Sequence, residues 1–240
     1  MKIALIGYGK MGKAVEAAAL KRGHQITVKA DAPGPVAEQL LGSDVAIEFT
    51  GPGSAPTNIR TCLEAGIPVV VGSTGWYKEY DALKEAFLSG NGSLLTATNF
   101  SIGVNLFFEL NRMLARMMNK VEGYDASMEE IHHIHKLDSP SGTALTLAED
   151  LIWLLDGKTR WEEVHNYGDS QSEVLEILSK REGETVGTHI INYSSGVDKI
   201  QIKHEAFSRE GFAHGAVVAA EWLKNKKGVY TMRDVLGISH

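Results

Sequence analysis

The segment KIALIGYGKMGKAV constrains the fold of this chain more than any other. Residues 2–6 read as a short apolar strand, GYGKMG follows at once, and residues 11–22 read as a helix stopped by Gly23. Gly7, Gly9 and Gly12 have a physical use at this spacing. Gly7 permits the tight turn, Gly9 removes the side chain that would block a pyrophosphate, and Gly12 lets helix and strand approach closely. The helix start then turns free N–H groups and a positive dipole end toward phosphates. Asp31 follows Gly12 by about 20 positions, where a ribose-binding carboxylate is expected in a dinucleotide fold. Lys10, Lys13 and Lys29 lie nearby, and such cations can accept the additional phosphate of NADP. The choice between the two coenzymes stays open at this level.

The next stretches repeat the strand–helix alternation. Strands are expected at 26–30, 45–49, 69–71 and near 93–97, with helices around 57–65 and near 80–88. Unbroken apolar strands separated by helices predict a Rossmann-type, doubly wound parallel α/β sheet covered on both faces. Ligands of such sheets lie beyond the carboxyl ends of the strands. That rule picks out Gly72, Ser73 and Thr74 in VGSTGW, and Thr98, Asn99 and Phe100 in ATNFS. Ordinary turns with Ser or Asn caps would look the same.

After Asn99 the pattern changes to α+β: a helix over 102–119, a strand over 126–132 and a helix over 143–155 capped by Ser141 or Ser139 behind Pro140. Strands at 173–180, 188–194 and 199–206 follow. A last helix, 213–224, can return to the first domain. The expected division is 1–98 with 210–240 as the dinucleotide-binding domain, and 99–209 as a substrate-binding and oligomerisation domain.

The densest chemistry is EEIHHIHKLDSPSGTAL, residues 129–145. Three histidines in four positions suggest a metal, but there is no HExxH spacing and no paired cysteine, and Lys136 would repel a cation. No metal is expected. His132 and Lys136, four positions apart, share a face in an extended or a helical backbone, and His133 points elsewhere. Imidazole is suited to donating a proton near neutral pH, and an ammonium adds charge. Ser141, Gly142 and Thr143 open a helix whose N–H groups suit a carboxylate. The block thus suggests a small organic anion that must be protonated; a polar strand before a well-capped helix is the plainer alternative. His24, His165, His189, His204, His214 and His240 are expected at surface or packing positions. Trp76, Trp153, Trp161 and Trp222 are expected in the core or an interface rather than against a cofactor, and the helix of Met113, Met117 and Met118 is expected to pack.

Charge and cysteine content narrow the classes further. Lys and Arg number 24 against 30 Asp and Glu, a net charge of −6, which argues against nucleic acid or an anionic membrane as partner. Cys62 is the single cysteine, so no intrachain disulfide framework exists, and a lone thiol suits a reducing compartment. The first apolar run stops at Gly7, too short for a signal peptide or a membrane span. A cytoplasmic protein is expected.

GYGKMG, VAIEFT, VGSTGW, TNFSIGVN, EIHHIHKLDSPSGTAL, GFAHGA and TMRDVL occur in an order that resembles the 4-hydroxy-tetrahydrodipicolinate reductase (dihydrodipicolinate reductase) family over nearly the whole chain. The HHxHKxDxPSGTA block is the specific part. The resemblance implies reduction of a cyclic imine dicarboxylate by NADH or NADPH in diaminopimelate and lysine biosynthesis. It implies His132 as general acid or base, Lys136 as accompanying proton donor, and His133, Ser141, Gly142 and Thr143 as substrate contacts. For the coenzyme it implies Gly7, Tyr8, Gly9, Lys10, Met11, Gly12, Gly72, Ser73, Thr74, Ala97, Thr98, Asn99 and Phe100, with Asp31 on the ribose. It also implies a homotetramer assembled through the second domain's sheet. Lys10 stands where an Arg is common and His214 where an Asn is common, and the segment after the second strand is short. These departures bear on coenzyme preference. Two rivals are an amino-acid or imino-acid dehydrogenase of the same fold, and a non-catalytic nicotinamide sensor; a sensor needs no proton donor.

Overall fold

The structure, a computed structural model, describes residues 1–168, 170–208 and 210–238; His240 lies outside the described residues. In chain order the elements begin with β1 (Lys2–Ile6), α1 (Lys10–Lys21), β2 (Gln25–Ala30), α2 (Ala37–Leu40), β3 (Val45–Glu48), α3 (Ala55–Glu64), β4 (Val69–Val71), α4 (Tyr80–Ser89) and β5 (Ser93–Thr96). They continue with α5 (Ile102–Met118), β6 (Asp125–His132), α6 (Gly142–Leu154), β7 (Arg160–Val164), β8 (Val174–Arg181), β9 (Gly187–Ser194), β10 (Lys199–Ala206), α7 (Glu210–Leu223), β11 (Gly228–Tyr230) and α8 (Met232–Val235). Two compact units result: 1–105 with 210–240, and 106–209.

The first unit is built on a six-stranded sheet of order β11-β5-β4-β3-β1-β2, parallel throughout. β1 from Ile3 onward, β3 and β4 are buried on both faces because helices cover both sides, and they are apolar except for Glu48 at the end of β3. One core layer sets Val15, Ala19, Ala216, Val217 and Ala220 of α1 and α7 against Ile3, Leu5, Ile47 and Leu95. The opposite layer sets Ile59 and Cys62 of α3 and Leu83 and Phe87 of α4 against Ala4, Ile6, Val69 and Val71. β1 lies between β2 and β3, so the chain leaves β1 in one direction and returns on the other side; this strand-order reversal is where such sheets bind ligands.

The second unit holds a five-stranded mixed sheet, β10-β9-β6-β8-β7, antiparallel on the β10 side of β6 and parallel on the β7 side. β6 alternates strictly, burying Ala126, Met128, Glu130 and His132 on one face. A glutamate and a histidine therefore follow two apolar residues onto the same buried side.

Short elements are the ones the sequence pattern does not show. α2, α8 and β11 have four, four and three residues. β7 (RWEEV) is an exposed edge strand with no apolar alternation; backbone pairing to β8, not its side chains, makes it a strand.

Gly215 of α7 packs on the backbone after β5: a Cβ there would sit 1.7 Å from the Phe100 carbonyl oxygen. Gly215→Ala is expected to cost about 2 kcal/mol or more in urea unfolding, because rigid backbone stands on both sides of the contact.

Candidate active site

The coenzyme candidates of the first unit line one edge of one sheet. Each loop after a strand is tied to its neighbour: Gly7 N–H donates to Ala30 O at 2.8 Å, Phe49 N–H to Ile6 O at 2.8 Å, Gly72 N–H to Glu48 O at 2.8 Å and Ala97 N–H to Val71 O at 3.3 Å. Gly7 has φ +92°, and a Cβ there would lie 2.2 Å from Phe49 O; a Cβ on Gly12 would lie 2.1 Å from Gly7 O. Both positions require glycine. Gly9 differs, since nothing lies within 4 Å of its would-be Cβ. It precedes α1, which has no side-chain N-cap bond and no acidic residue in its first turn. An open glycine over an uncapped helix start leaves N–H donors and a positive dipole end for phosphate, so these residues fit a dinucleotide. A cleft of about 330 Å³ runs from Gly7 and Gly9 past Asp31 to Phe49, Thr50 and Pro52.

Other candidates have internal tasks. Tyr8 hydroxyl donates to Glu16, and Lys29 Nζ sits 2.6 Å from Glu16 and 4.9 Å from the Tyr8 ring centroid. The Lys29–Glu16 ion pair and the Tyr8 hydrogen bond hold the Glu16 carboxyl below its usual range. Lys10 is exposed and Met11 half-buried at the start of α1. Gly72 faces the Phe49 ring, where a Cβ would approach to 2.1 Å. Ser73 Oγ accepts the Thr50 N–H at 2.8 Å, and Thr74 and Thr98 are exposed. Asn99 Oδ1 accepts the Ser101 N–H at 2.8 Å ahead of α5. The Phe100 ring is core, 5.8 Å from that of Phe49, so only its backbone remains for a ligand. Thr50 and Pro52, on the loop after β3, went unmarked; VAIEFT ends on that loop and was the available signal.

In the second unit the expectation of one shared face for His132 and Lys136 needs correction. The backbone there is neither extended nor helical: β6 ends at His132, a turn follows, and Lys136 N–H donates to His133 O at 3.1 Å. His132 is 7% exposed. Its Nδ1 lies 3.1 Å from Glu130 Oε2, an ion-pair distance without hydrogen-bond alignment. Its Nε2 faces β9, where a Cβ on Gly187 would approach to 3.0 Å. The His189 ring packs on it edge-on at 5.2 Å and 66°. Burial, then the His132 charge, holds the His189 imidazole down at about 3, so it is neutral near pH 7. Lys136 Nζ donates to both Asp138 carboxylate oxygens at 2.8 Å, which holds Asp138 below its usual range. His133 is half-buried, its ring 6.2 Å from that of His135.

Glu130 joins these groups. It has no exposed surface, and both its oxygens accept the Ser141 N–H at 3.2 Å. Arg181 donates to its Oε1 at 3.1 Å. Burial alone raises its pKa, but His132, Ser141 and Arg181 together bring it down to about 2. Ser141 is the N-cap of α6, its Oγ accepting the Ala144 N–H. The first backbone bond inside the helix is Leu145 N–H to Ser141 O, so the N–H groups of Gly142 and Thr143 precede the helical ladder and are available to a carboxylate. Glu130, His132 and His189 also form a cluster whose ligand atoms lie within 4.8 Å of one another. Arg181 and Lys136 already place positive charge there, so a metal cation in addition does not fit. Sequence reasoning passed over Glu130, Arg181 and Asp138. Glu130 was reachable, because strand alternation puts i−2 beside His132.

Family models described as dihydrodipicolinate reductase, N-terminus and C-terminus, match residues 1–100 and 103–236. The chain belongs to the dihydrodipicolinate reductase family. A 4-hydroxy-tetrahydrodipicolinate reductase of Christiangramia forsetii is 46% identical over 239 residues, 98% of each chain. One of Chromobacterium violaceum is 38% identical over 83% of this chain and 75% of that one. The solved structure of dipicolinate-bound dihydrodipicolinate reductase from Paenisporosarcina sp. TG-14 superposes with a TM-score of 0.79 over 98% of both chains at 18% identity, which supports the fold. As a member of the dihydrodipicolinate reductase family the chain is a nicotinamide-dependent reductase using NADH or NADPH, with the first unit's sheet as the coenzyme-binding fold. No helix among the described residues is long and apolar enough to cross a membrane.

Because the folded pKa of Glu130 lies below its ordinary value of 4.5, its contribution to stability is complete above that value and is lost as the pH falls through about 2. The contribution is on the order of 3 kcal/mol. Urea midpoints at about pH 6 and about pH 2.5 are expected to differ more for the wild type than for Glu130→Gln.

Proposed function

We propose that this chain reduces 4-hydroxy-tetrahydrodipicolinate, a cyclic imine dicarboxylate, to tetrahydrodipicolinate with loss of water, as a step of diaminopimelate and lysine biosynthesis. The carrying observation is the end-to-end likeness, 46% over 98% of both chains, to a protein of that name. Residues 1–98 with 210–240 bind coenzyme in this reading, and 99–209 bind substrate.

The bound nicotinamide supplies hydride to the substrate ring. Gly7 to Gly12 would hold the pyrophosphate on the α1 start, Asp31 the adenosine ribose, and the loops at Gly72–Thr74 and Ala97–Phe100 the remainder of the coenzyme. Gly142 and Thr143 N–H groups would accept a substrate carboxylate at the α6 start, with Ser141 shaping the turn and His133 beside it. Negative charge that develops on the ring is met by the imidazole of His132 and the ammonium of Lys136, which between them deliver the proton. For Lys136 that requires leaving Asp138, whose exposed carboxylate makes the exchange inexpensive.

The same reading includes a homotetramer assembled through the second unit, supported by the family resemblance. Leu106, Leu110, Met113 and Met117, an exposed apolar row on α5, and the exposed Trp153 are consistent with further association. A cytoplasmic location is supported by the lone, buried Cys62 thiol.

A coupled assay with freshly generated substrate tests the reaction through loss of reduced-nicotinamide absorbance; no turnover with either coenzyme would overturn it. His132→Ala and Lys136→Ala are each expected to lower kcat by roughly 100-fold or more while coenzyme Kd stays within about threefold. Asp31→Ala is expected to raise KM for NADH by roughly tenfold and to affect NADPH less; equal effects would make Asp31 structural.

A further inference from the structure

We propose that Glu130 is the positioning residue of this site: one buried carboxylate sets the orientation of His132, the placement of the Lys136 loop and the start of α6. The proposal rests on the reading of His132 as a proton donor and adds a residue outside the expected set.

Three connections carry it. Glu130 Oε2 lies 3.1 Å from His132 Nδ1 on the same face of β6. Both Glu130 oxygens take the Ser141 N–H, which fixes the turn that presents Gly142 and Thr143. Arg181, the β8 partner of His132 in register, donates 3.1 Å to Glu130 Oε1 and 2.7 Å to the Asp138 carbonyl oxygen. Asp138 in turn holds Lys136. The chain Glu130–Arg181–Asp138–Lys136 therefore ties the ammonium to the same carboxylate as the imidazole. What points to a positioning role is the identity of the donors, not their number, since any buried carboxylate needs several. This one is shared among three groups, each belonging to a different part of the proposed chemistry.

The electrostatic consequence has a definite sign. His132 is faced by Glu130 from its own strand, by its register partner Arg181 from β8, and by His189 and Gly187 from β9, while its carbonyl accepts the Glu182 N–H at 2.7 Å; the Lys136 charge is felt by the adjoining His189. Glu130 is the anion in that set; the cations are Arg181 and Lys136. Neutralising Glu130 leaves Arg181 unopposed beside the His132 ring, while Lys136 keeps Asp138, and this disfavours protonated imidazole, so proton donation fails at a lower pH.

The test compares Glu130→Gln, Glu130→Asp and His132→Ala in steady-state kinetics with freshly generated substrate. Glu130→Gln is expected to lower kcat roughly tenfold near pH 6 and roughly 100-fold near pH 8, with coenzyme KM changed by less than about twofold. Glu130→Asp, which keeps the charge, is expected to recover the wild-type shape of the pH profile at reduced kcat. A folded Glu130→Gln with an unaltered pH profile overturns the proposal. If Glu130→Gln does not fold, Arg181→Met replaces it: it keeps the stem but removes the nitrogen that donates to both Glu130 and the Asp138 carbonyl, and wild-type kcat there overturns the proposal equally. An unimpaired His132→Ala refutes the proton-donor reading itself. An impaired His132→Ala beside an unimpaired Glu130→Gln refutes this inference alone.

Discussion

A carboxylate with no exposed surface cannot stay ionised without positive partners, and the second unit is organised around meeting that requirement. Glu130 lies on the apolar face of β6, where burial opposes its charge. Arg181 from β8, the Ser141 N–H ahead of α6 and the neighbouring His132 together overcome the opposition. Each partner comes from a different element, so satisfying one charge fixes a strand pair, a helix start and a ring orientation at once. Removing any partner would leave the others in a less compensated interior.

The first unit solves a different problem by steric means. Its sheet edge must admit a large anion without supplying a counter-charge at every contact. Gly7 and Gly12 bring backbone to within van der Waals contact of backbone, and the open Gly9 leaves the α1 start uncovered. Lys29, beside this edge, is engaged by Glu16 and Tyr8. In the proposed reading, the attraction for phosphate would come from oriented N–H groups at the α1 start, whose direction is set by the fold.

Much of this was legible in the chain. The glycine loop and the apolar strands predict the parallel sheet because backbone sterics and two-sided burial act over short stretches. PSGT predicts a capped helix, and Ser141 caps α6. The polar strand β7 escaped notice because its strand character comes from pairing with β8. His132 and Lys136 were picked out by type and sequence proximity, but the regular periodicity expected between them is interrupted by a turn at residues 134–135. His189 was expected to be a surface or packing residue, and it packs on the His132 ring.

Residue type and local spacing were enough to predict the strand–helix order of the first unit and the capped start of α6, and to single out the glycine loop and the His132–Lys136 pair as candidates, because each depends on interactions within a few positions of chain. Only the tertiary structure decided which distant groups share a charge. Arg181 is about fifty positions from Glu130, and its approach depends on β8 pairing beside β6 in a particular register. Electrostatic contacts act through space, and the pairing of strands far apart in the chain determines which charges come within reach.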